Sequence, residues 1–481
     1  RQMCIRDRCS RSEQRVLRNS YAGNNTLKQS FDLTEEQAQA VEAVSKAITE
    51  KKQETFLLQG VTGSGKTEVY LNLTEKALAE GRQVLVLVPE IALTAQIVKR
   101  FQSWFKGCIA VVHSKLSASE RADVFYKIRN NEAQILIGVR SAVFAPFTNL
   151  GLVIIDEEHD QSYKQEERPC YHAREVALHR AKYFNIPVVL GSATPSIESY
   201  YDAIMKRFKH LRLTGRPNGQ PLPKVQIVDM RKELQKRNFS VLSRALQQEL
   251  VRTAAAGEQA IVLLNRRGYS TFVMCRDCGE TIMCPHCAVA LVYHEEGNAM
   301  RCHYCGNTMP VPEECPKCHS RRIKFFGTGT QKAEAQIAAL PEVKVLRMDQ
   351  DSTLRKFAHE EILNAFSSGR YNVLIGTQMV AKGHDIPNVT LVGVLSADSM
   401  LNMPDFRAYE RAFSLLTQAA GRAGRGDKPG HVILQVYDAD NRTVHLAAAQ
   451  DYDTFAKEEL LRRKELNLSL IHISEPTRRV V

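Results

Sequence analysis

The stretch F-L-L-Q-G-V-T-G-S-G-K-T, Phe56 to Thr67, decides the fold. Phe56 to Gln59 has the length and apolar character of a buried strand, and Glu68 to Glu80 behind the glycines has helical composition. Strand, glycine-rich loop and helix in that order are the setting of a phosphate-binding loop. Gly60, Gly63 and Gly65 let the backbone curl so that successive N–H groups point inward, and the following helix adds its positive N-terminal end. Lys66 supplies the charge that neutralises β and γ phosphates, and Thr67 the hydroxyl that holds magnesium. Thr62, Ser64 and Glu68 complete the nucleotide-contacting set, with ATP and Mg2+ as the implied cofactor.

Working outward, Gly151 to Ile155 is a buried-type run that closes on D-E-E-H, Asp156 to His159. A carboxylate at that strand end faces the phosphate loop across a parallel sheet. A hydrolysing site needs both acids: Asp156 to hold Mg2+ and Glu157 to act on the attacking water. Glu158 and His159 are expected to couple the site to its surroundings. Upstream, L-T-E-E-Q, Leu33 to Gln37, is a helix start with Thr34 as N-cap and Gln37 as its capping-box partner. Gln37 also lies where an adenine edge is in reach, and both readings stay open.

Strand-like and helix-like segments keep alternating through V-L-V-L-V-P, Ile135 to Gly138 and Val188 to Gly191, which predicts a doubly wound parallel sheet. G-S-A-T-P-S, Gly191 to Ser196, ends one strand in small hydroxyl residues suited to relaying the state of the nucleotide. Composition shifts to Pro, Gly and Asn from Arg212 to Pro223, a linker. The rhythm then resumes, so two sheets and two α/β lobes are expected. In the second, Q-A-A-G-R-A-G-R-G, Gln418 to Gly426, spaces Arg422 and Arg425 to place two guanidiniums on one side of a turn. Supplied from the opposite lobe, they make hydrolysis depend on lobe closure.

Eight of the 12 cysteines form four pairs, Cys275-x2-Cys278, Cys284-x2-Cys287, Cys302-x2-Cys305 and Cys315-x2-Cys318. With no secretory signal visible, this spacing points to metal and a reducing compartment. Tetrahedral zinc takes four thiolates, so eight make two closed structural sites. Four pairs combine in three ways; the inner pairs Cys284/Cys287 with Cys302/Cys305 have zinc-ribbon spacing, leaving Cys275/Cys278 with Cys315/Cys318. His286, His303 and His319 sit beside ligands but find no vacancy. So small a segment has little core, and metal binding is expected to supply much of its folding free energy.

At 481 residues, 25% charged and 44% hydrophobic, the chain reads as about three soluble domains and neither disordered nor fibrous. No apolar run approaches the ~20 residues of a spanning helix. The formal charge of +12 fits a polyanion partner but is a poor guide: discounting residues 1–12 and 468–481 leaves +8, and two zinc ions on eight thiolates leave about +4.

The ordered set G-V-T-G-S-G-K-T, V-P-E-I-A-L-T, D-E-E-H, G-S-A-T-P-S, G-T-Q-M-V-A-K-G-H-D-I-P and Q-A-A-G-R-A-G-R resembles superfamily 2 helicases. S-Y-K-Q-E-E-R-P-C-Y-H-A-R-E-V-A, Ser162 to Ala177, and A-D-S-M-L-N-M-P-D-F-R-A-Y-E-R, Ala397 to Arg411, narrow the likeness to the primosomal protein N′ (PriA) family of bacterial replication-restart helicases. The resemblance spans about residues 28 to 466. It implies two RecA-like lobes with a two-zinc insertion in the second, the same nested cysteine pairing, and 3′ to 5′ ATP-dependent unwinding at branched or stalled forks that initiates primosome assembly. It also implies nucleotide contact by Asp385 and a single-strand DNA path along Arg140, Ser141, Thr377, Gln378 and Lys382. Lys164 to His172 is similar to an aromatic-rich loop that senses DNA, in which Lys164, Tyr171 and His172 contact DNA and Tyr163 also stacks on bases. Single-strand DNA-binding protein and primosome-loading proteins are the implied partners, with no membrane, in a bacterial cytoplasm at the nucleoid. Two other classes compete: a non-enzymatic zinc-dependent assembly platform with a vestigial ATP site, and an RNA helicase.

The expected division is a tail at 1–27, lobe 1 at 28–215, lobe 2 at 216–271 and 326–450, the cysteine-rich insertion at 272–325, the start of a further C-terminal domain at 451–467, and a tail at 468–481. The tail at 1–27 reads as non-native or disordered and that at 468–481 as non-native, both resembling sequencing-adapter read-through. The DNA-binding modules that family members carry ahead of the helicase are expected to be absent, and fork binding correspondingly weaker.

Overall fold

Thr34 accepts the N–H of Gln37 on its hydroxyl, and the Gln37 side chain accepts the N–H of Thr34, closing the expected capping box at the head of helix Glu35–Thr49. The structure, a computed structural model, describes residues 32–465 except 90–95, 106, 115, 218, 220, 265–270, 287–288, 295–297, 327–329, 349–357, 378–379, 381–385, 387, 404 and 425–427. Both tails lie outside the described residues.

Lobe 1 carries β1 (Thr55–Gly60), β2 (Gln83–Leu87), β3 (Ile109–Val112), β4 (Ile135–Gly138), β5 (Leu150–Asp156), the short pair β6 (Lys164–Gln165) and β7 (Tyr171–His172), then β8 (Val188–Ser192) and β9 (Lys209–Leu213). All but β6 and β7 form one parallel sheet in the order β3-β4-β2-β5-β8-β1-β9. Helices cover both faces, which is why the central strands read as near-continuous apolar runs, while the edge strand β9, K-H-L-R-L, is largely polar. Leu57, Leu85 and Val153 pack into one core layer, and their neighbours Phe56, Val84 and Ile154 into the other. At ~1.5–3 kcal/mol for each side chain fully buried, these two layers hold the carboxyl edge of the sheet in place. The site lies on that edge, because register sets Asp156 beside Gly191 and Gln59 beside Ser192.

Lobe 2 opens with β10 (Lys224–Asp229) and β11 (Gln259–Leu264). An insertion follows, with β12 (Thr271–Cys275), β13 (Val292–His294), β14 (Ala299–Arg301), β15 (Thr308–Pro310) and β16 (Ile323–Phe326). The lobe resumes with β17 (Val345–Met348), β18 (Val373–Gly376), β19 (Val389–Leu395) and β20 (His431–Val436). Its sheet is again parallel, in the order β10-β20-β19-β11-β18-β17, whereas the insertion is antiparallel, β15-β14-β13-β12-β16. The cysteine-rich segment is thus a small sheet of its own, which the ligand spacing did not reveal.

Two boundaries differ from expectation. Arg212 and Leu213 belong to β9, because β1 needs a partner on its outer edge and Gly60 pairs with Leu213; the linker therefore starts at Thr214. Helix Tyr452–Glu465, expected beyond the end of lobe 2, packs into the lobe 2 core. Phe455 stacks on Phe413 at 4.2 Å, and Tyr452, Phe455 and Ala456 share the lobe 2 core. The same helix reaches lobe 1, where Tyr452 Oη donates to the Pro195 carbonyl at 2.7 Å and Asp453 takes both Arg212 Nη1 at 2.8 Å and Tyr200 Oη at 3.0 Å. Its charge-laced sequence looked solvated; tertiary contact with lobe 1 takes up those charges.

Candidate active site

The loop after β1 turns through Gly63 at φ +84° and Gly65 at φ +79°, the left-handed region that only glycine enters without strain. Gly65 caps helix Lys66–Ala79 without any side-chain hydrogen bond, so the first amides of that helix are left for an anion. Lys66 Nζ is folded back on the Gly60 carbonyl at 3.0 Å, and Ser64 Oγ is buried with no partner. Donors converging on one hollow fit a polyphosphate. Of the two readings of Gln37, the structure realises the capping box: its Oε1 accepts from Thr34, while Nε2 donates to the Ser64 carbonyl at 2.8 Å and braces the loop. Glu68 pairs with Arg100 on the outer side of the helix.

Asp156 is half-buried at the end of β5, and desolvation, followed by repulsion from Glu157, raises its carboxyl to about 6, while Lys66 and the Tyr70 hydroxyl pull it back down. A half-buried acid beside a second acid is the donor set that a divalent cation relieves. Tyr70 Oη donates to Asp156 Oδ1 at 2.9 Å, and this phenol has room only because residue 191 is glycine: a Cβ there would lie 1.6 Å from Oη. The Gly191→Ala variant is therefore expected to expel Tyr70 from Asp156 and to lose about 1–3 kcal/mol of stability. An unchanged urea midpoint would contradict this. Tyr70 was not singled out from the sequence, although it lies four residues after Lys66 and so shares its helix face.

Glu157 is held at φ +46°, a left-handed conformation that costs a non-glycine residue of order 1 kcal/mol and that clusters at functional sites. Its Oε2 lies 3.4 Å from Gln418 Nε2 of lobe 2 and 3.6 Å from His159 Nδ1. His159 in turn contacts Ser192 Oγ at 2.7 Å and Gln418 Nε2 at 3.0 Å. Glu158 turns away into lobe 1, accepting the Ser196 N–H at 2.6 Å and Arg174 at 3.0 Å. The second pair of the motif thus couples Asp156 and Glu157 to G-S-A-T-P-S and to the other lobe. Arg174 is a further residue the sequence reading passed over.

Lobe 2 meets this edge along one face of helix Ala408–Ala420. Glu410 accepts the Ile197 N–H at 3.1 Å, Ser414 Oγ meets Thr194 Oγ1 at 2.8 Å, and Gln418 reaches Glu157 and His159. Spacing of four along an otherwise apolar helix puts the three on one stripe, a pattern readable in the sequence once looked for. Beyond the helix, Gly421 touches the phosphate loop so closely that a Cβ would lie 2.5 Å from Thr62. Half-buried Arg422 follows it at the loop's edge. Arg216 of the linker spans the same gap, from the Thr62 carbonyl at 3.1 Å to that of Gly424 at 3.4 Å. Arg425 and Asp385 lie outside the described residues.

Among the expected DNA contacts, Arg140 Nη1 donates to the carbonyls of Lys164 at 2.9 Å and Ser162 at 3.3 Å, so it pins the base of the aromatic-rich loop; Ser141 follows it in the short turn Arg140–Phe144. Lys164 is exposed, and Tyr171 sets its ring edge-on to Phe144 at 4.9 Å. The stacking expected of Tyr163 is overturned: it is fully buried, and its hydroxyl donates to the Asp156 carbonyl at 2.6 Å. It ties the loop to the candidate metal ligand instead. His172 is an N-cap, its Nδ1 accepting the Arg174 N–H at 3.3 Å. Burial first, then Arg174 and Arg407, push it down to about 3, so the ring is neutral at pH 7. A depressed basic group contributes stability above its unfolded pKa of ~6.5 that is lost as pH falls toward 3. H172N keeps a capping acceptor without the titration, so its melting temperature is expected to fall less between pH 6.5 and 4 than that of wild type. Parallel profiles would reject this. Thr377 is half-buried at the end of β18; Gln378 and Lys382 lie outside the described residues.

In the insertion, Cys275, Cys278, Cys315 and Cys318 converge, as do Cys284, Cys302 and Cys305, while Cys287 lies outside the described residues. Sulfur separations of 3.6 Å for Cys275–Cys318, 3.5 Å for Cys278–Cys315 and 3.7 Å for Cys284–Cys305 fit the edge of about 3.8 Å that a tetrahedron of 2.3 Å Zn–S bonds requires. The first cysteine of three pairs accepts, on its carbonyl, the N–H of a left-handed residue four positions on, Gly279, Gly306 or His319. His319 is thereby a turn residue, and His303 lies against His294 with Nε2 atoms 3.2 Å apart.

Among the described residues no helix is long and apolar enough to cross a membrane. Residues 34–203 match the family model described as DEAD/DEAH box helicase, 284–310 the PriA DNA helicase Cys-rich region domain, and 313–427 the helicase conserved C-terminal domain. The chain is 51% identical over 456 residues to the replication restart protein PriA of Bacillus subtilis, covering 94% of this chain and 57% of that protein. It is 43% identical over 460 residues to PriA of Treponema pallidum, covering 95% of this chain and 68% of that protein. The chain thus spans little more than half the length of several curated relatives. Among solved structures, RecG bound to a three-way DNA junction superposes with a TM-score of 0.53 at 18% identity, covering 90% of this chain and 47% of that one. The Mycobacterium smegmatis helicase Lhr bound to single-stranded DNA and AMP-PNP gives 0.53 at 16%, covering 87% of this chain and 48% of that one, and both show the fold. With its two helicase lobes, its cysteine-rich insertion and this level of identity, the chain belongs to the PriA family of replication restart proteins.

Proposed function

We propose that the chain is the core of an ATP-dependent DNA helicase that moves 3′ to 5′ on single strands, acts at branched or stalled forks, and initiates primosome assembly with single-strand DNA-binding and loader proteins in the bacterial cytoplasm. The observation that carries this reading is the seating of lobe 2 on the phosphate loop: Gln418 at Glu157 and Gly421 against Thr62. Lys66 and the amides from Gly63 to Thr67 bind the phosphates, with Thr62, Ser64 and Glu68 lining the loop and Gln37 bracing it. Thr67 and Asp156 would hold Mg2+, which would supply neutralisation of phosphate charge when bound. Glu157, turned toward the gap by its left-handed backbone, accepts a proton from the attacking water. Arg422 and Arg425 approach from lobe 2, so charge stabilisation arrives only when the lobes are seated. Because desolvation and Glu157 raise the Asp156 carboxyl to about 6, protons compete with the cation there and its affinity weakens as pH falls through that value.

The insertion holds two Zn2+, one on Cys275, Cys278, Cys315 and Cys318, the other on Cys284, Cys287, Cys302 and Cys305. It serves as a rigid surface for DNA or partners, because closed four-thiolate sites leave no position for substrate. Phosphate release in the presence of forked DNA, single-stranded DNA or RNA is the test. Stimulation by DNA, reduced about 10²–10³-fold in Lys66→Ala, is expected. Stimulation by RNA alone would make it an RNA helicase, and none by either polymer would leave an assembly platform.

A further inference from the structure

Helix Ile197–Ile204 of lobe 1 and the segment before helix Ala408–Ala420 of lobe 2 meet over buried charges that the nucleotide chemistry does not use. On lobe 1, Glu158 and Glu198 are matched by one buried cation, Arg174. On lobe 2, Arg407, Arg462 and Arg463 are matched by Glu410 and Glu459. Ion pairs cross this boundary, among them the more exposed Arg212–Asp453. Arg407 closes it, with Nη2 at 2.6 Å and Nη1 at 3.0 Å from the two Glu198 oxygens, and Arg463 adds a contact to Glu198 at 3.5 Å. A two-pronged, charge-assisted contact of this kind fixes one seating of the halves geometrically.

A second set of contacts ties the same arginine to the zinc insertion. Tyr304 lies inside the knuckle Cys302–Cys305, and its hydroxyl accepts the N–H of Phe406, the residue before Arg407, at 3.4 Å. The Phe406 ring packs under the guanidiniums of Arg407 at 5.1 Å and Arg463 at 5.5 Å, and its carbonyl accepts from Arg462 at 3.5 Å. The Asp405 carboxylate takes the Arg407 N–H at 2.9 Å. On the far side of the boundary, Ser196, two residues before Glu198, donates its N–H and hydroxyl to Glu158 at 2.6 and 3.1 Å. Glu158 directly follows Glu157. A path made partly of contacts and partly of chain neighbours therefore runs from the second zinc knuckle through Phe406 and Arg407 to Glu198, along the start of its helix to Ser196 and Glu158, and so to the candidate general base.

We propose that Arg407 is a positioning residue for hydrolysis: its two-pronged bond to Glu198 seats Gln418 on Glu157, and Tyr304 makes that seating depend on the zinc insertion. This rests on the ATP-hydrolysis reading above. Neither the phosphate loop nor Asp156 touches Arg407, so the effect falls on turnover and not on nucleotide affinity.

The test measures ATP turnover with a poly-dT oligonucleotide. Arg407→Gln is expected to lower kcat about tenfold with KM for ATP changed by less than about twofold. Arg407→Lys, which keeps the charge but not the fork, is expected to recover part of the loss. Tyr304→Ala, at an exposed position where folding is safe, is expected to lower kcat about threefold with zinc content unchanged, and to add nothing in the double variant with Arg407→Gln. Wild-type kcat in either folded single variant, or effects that multiply in the double variant, would overturn the proposal. Small-angle scattering without nucleotide reads the seating independently of hydrolysis. A larger radius of gyration is expected for Arg407→Gln, and equal radii would overturn the proposal. If the wild-type chain itself shows no DNA-stimulated turnover, the enzymatic reading fails while the scattering comparison still decides the seating.

Discussion

Glu157→Gln is expected to lower ATP turnover by about 10²–10⁴-fold, the range of a positioned general base, while nucleotide binding stays within about twofold of wild type. Gln and Glu have the same length, so the left-handed turn at φ +46° and the approach of Gln418 are retained; only proton acceptance is removed. The loss belongs to kcat because the phosphate loop is untouched and removing the Glu157 charge only relieves the repulsion that raises Asp156. The structure also says why the acid at 157, and not 156 or 158, is the one that meets water. Asp156, half-buried, takes the Tyr70 hydroxyl and is the candidate cation ligand, and Glu158 is buried among Arg174, Ser196 and Ser199. Glu157 keeps a partly exposed side chain at the lobe boundary. Stopped-flow phosphate release with single-stranded DNA, alongside titration with a fluorescent ATP analogue, separates the two quantities. Turnover reduced less than fivefold would remove Glu157 as the base.

Stripping zinc is expected to unfold the insertion while both parallel sheets persist. Its core consists of Val273, Ile282, Val289, Leu291 and Met300 together with ligands Cys284 and Cys302, so the metal is part of the core. Structural zinc in small modules is worth ~10–16 kcal/mol of apparent folding free energy per ion, so one ion matches the roughly 7.5–15 kcal/mol that five apolar side chains supply at ~1.5–3 kcal/mol each, and two ions exceed it. Titration of a thiol-blocked, denatured sample with a chromogenic chelator is expected to release two zinc ions per chain. Treating the native protein with a strong chelator is expected to open protease sites between residues 271 and 326 with little change in helical circular dichroism. An insertion that resists proteolysis after zinc loss would show that its apolar core suffices. Through Tyr304, the same treatment is expected to depress ATP turnover in parallel with Tyr304→Ala.

Legibility in the sequence followed the range of the contacts. The phosphate loop was legible because three glycines, Lys66 and Thr67 act within eight residues of one another, and the capping box because Thr34 and Gln37 are one turn apart. D-E-E-H was legible because a buried strand ending on acids has few other uses. Tyr70 was missed because its meaning depends on Gly191, a residue without a side chain on another strand. Tyr163 was misjudged because an aromatic residue in a polar loop reads as exposed, whereas the root of this loop folds under β5. Helix Tyr452–Glu465 was taken as the start of something else because Asp453, Glu459 and Arg463 look like a solvated face until lobe 1 is set against them.

What the sequence by itself determined is local chemistry and its order: two α/β lobes, a nucleotide loop, two acids, and cysteine pairs that must bind metal. Each follows from spacing within one turn, one strand or one knuckle. Tertiary structure alone decided which residues of lobe 2 reach the nucleotide edge, that Gln418 and Gly421 press on Glu157 and Thr62, and that the zinc insertion is tied to that boundary through Tyr304. Those contacts join residues hundreds of positions apart, and their strength comes from burial that no local pattern records.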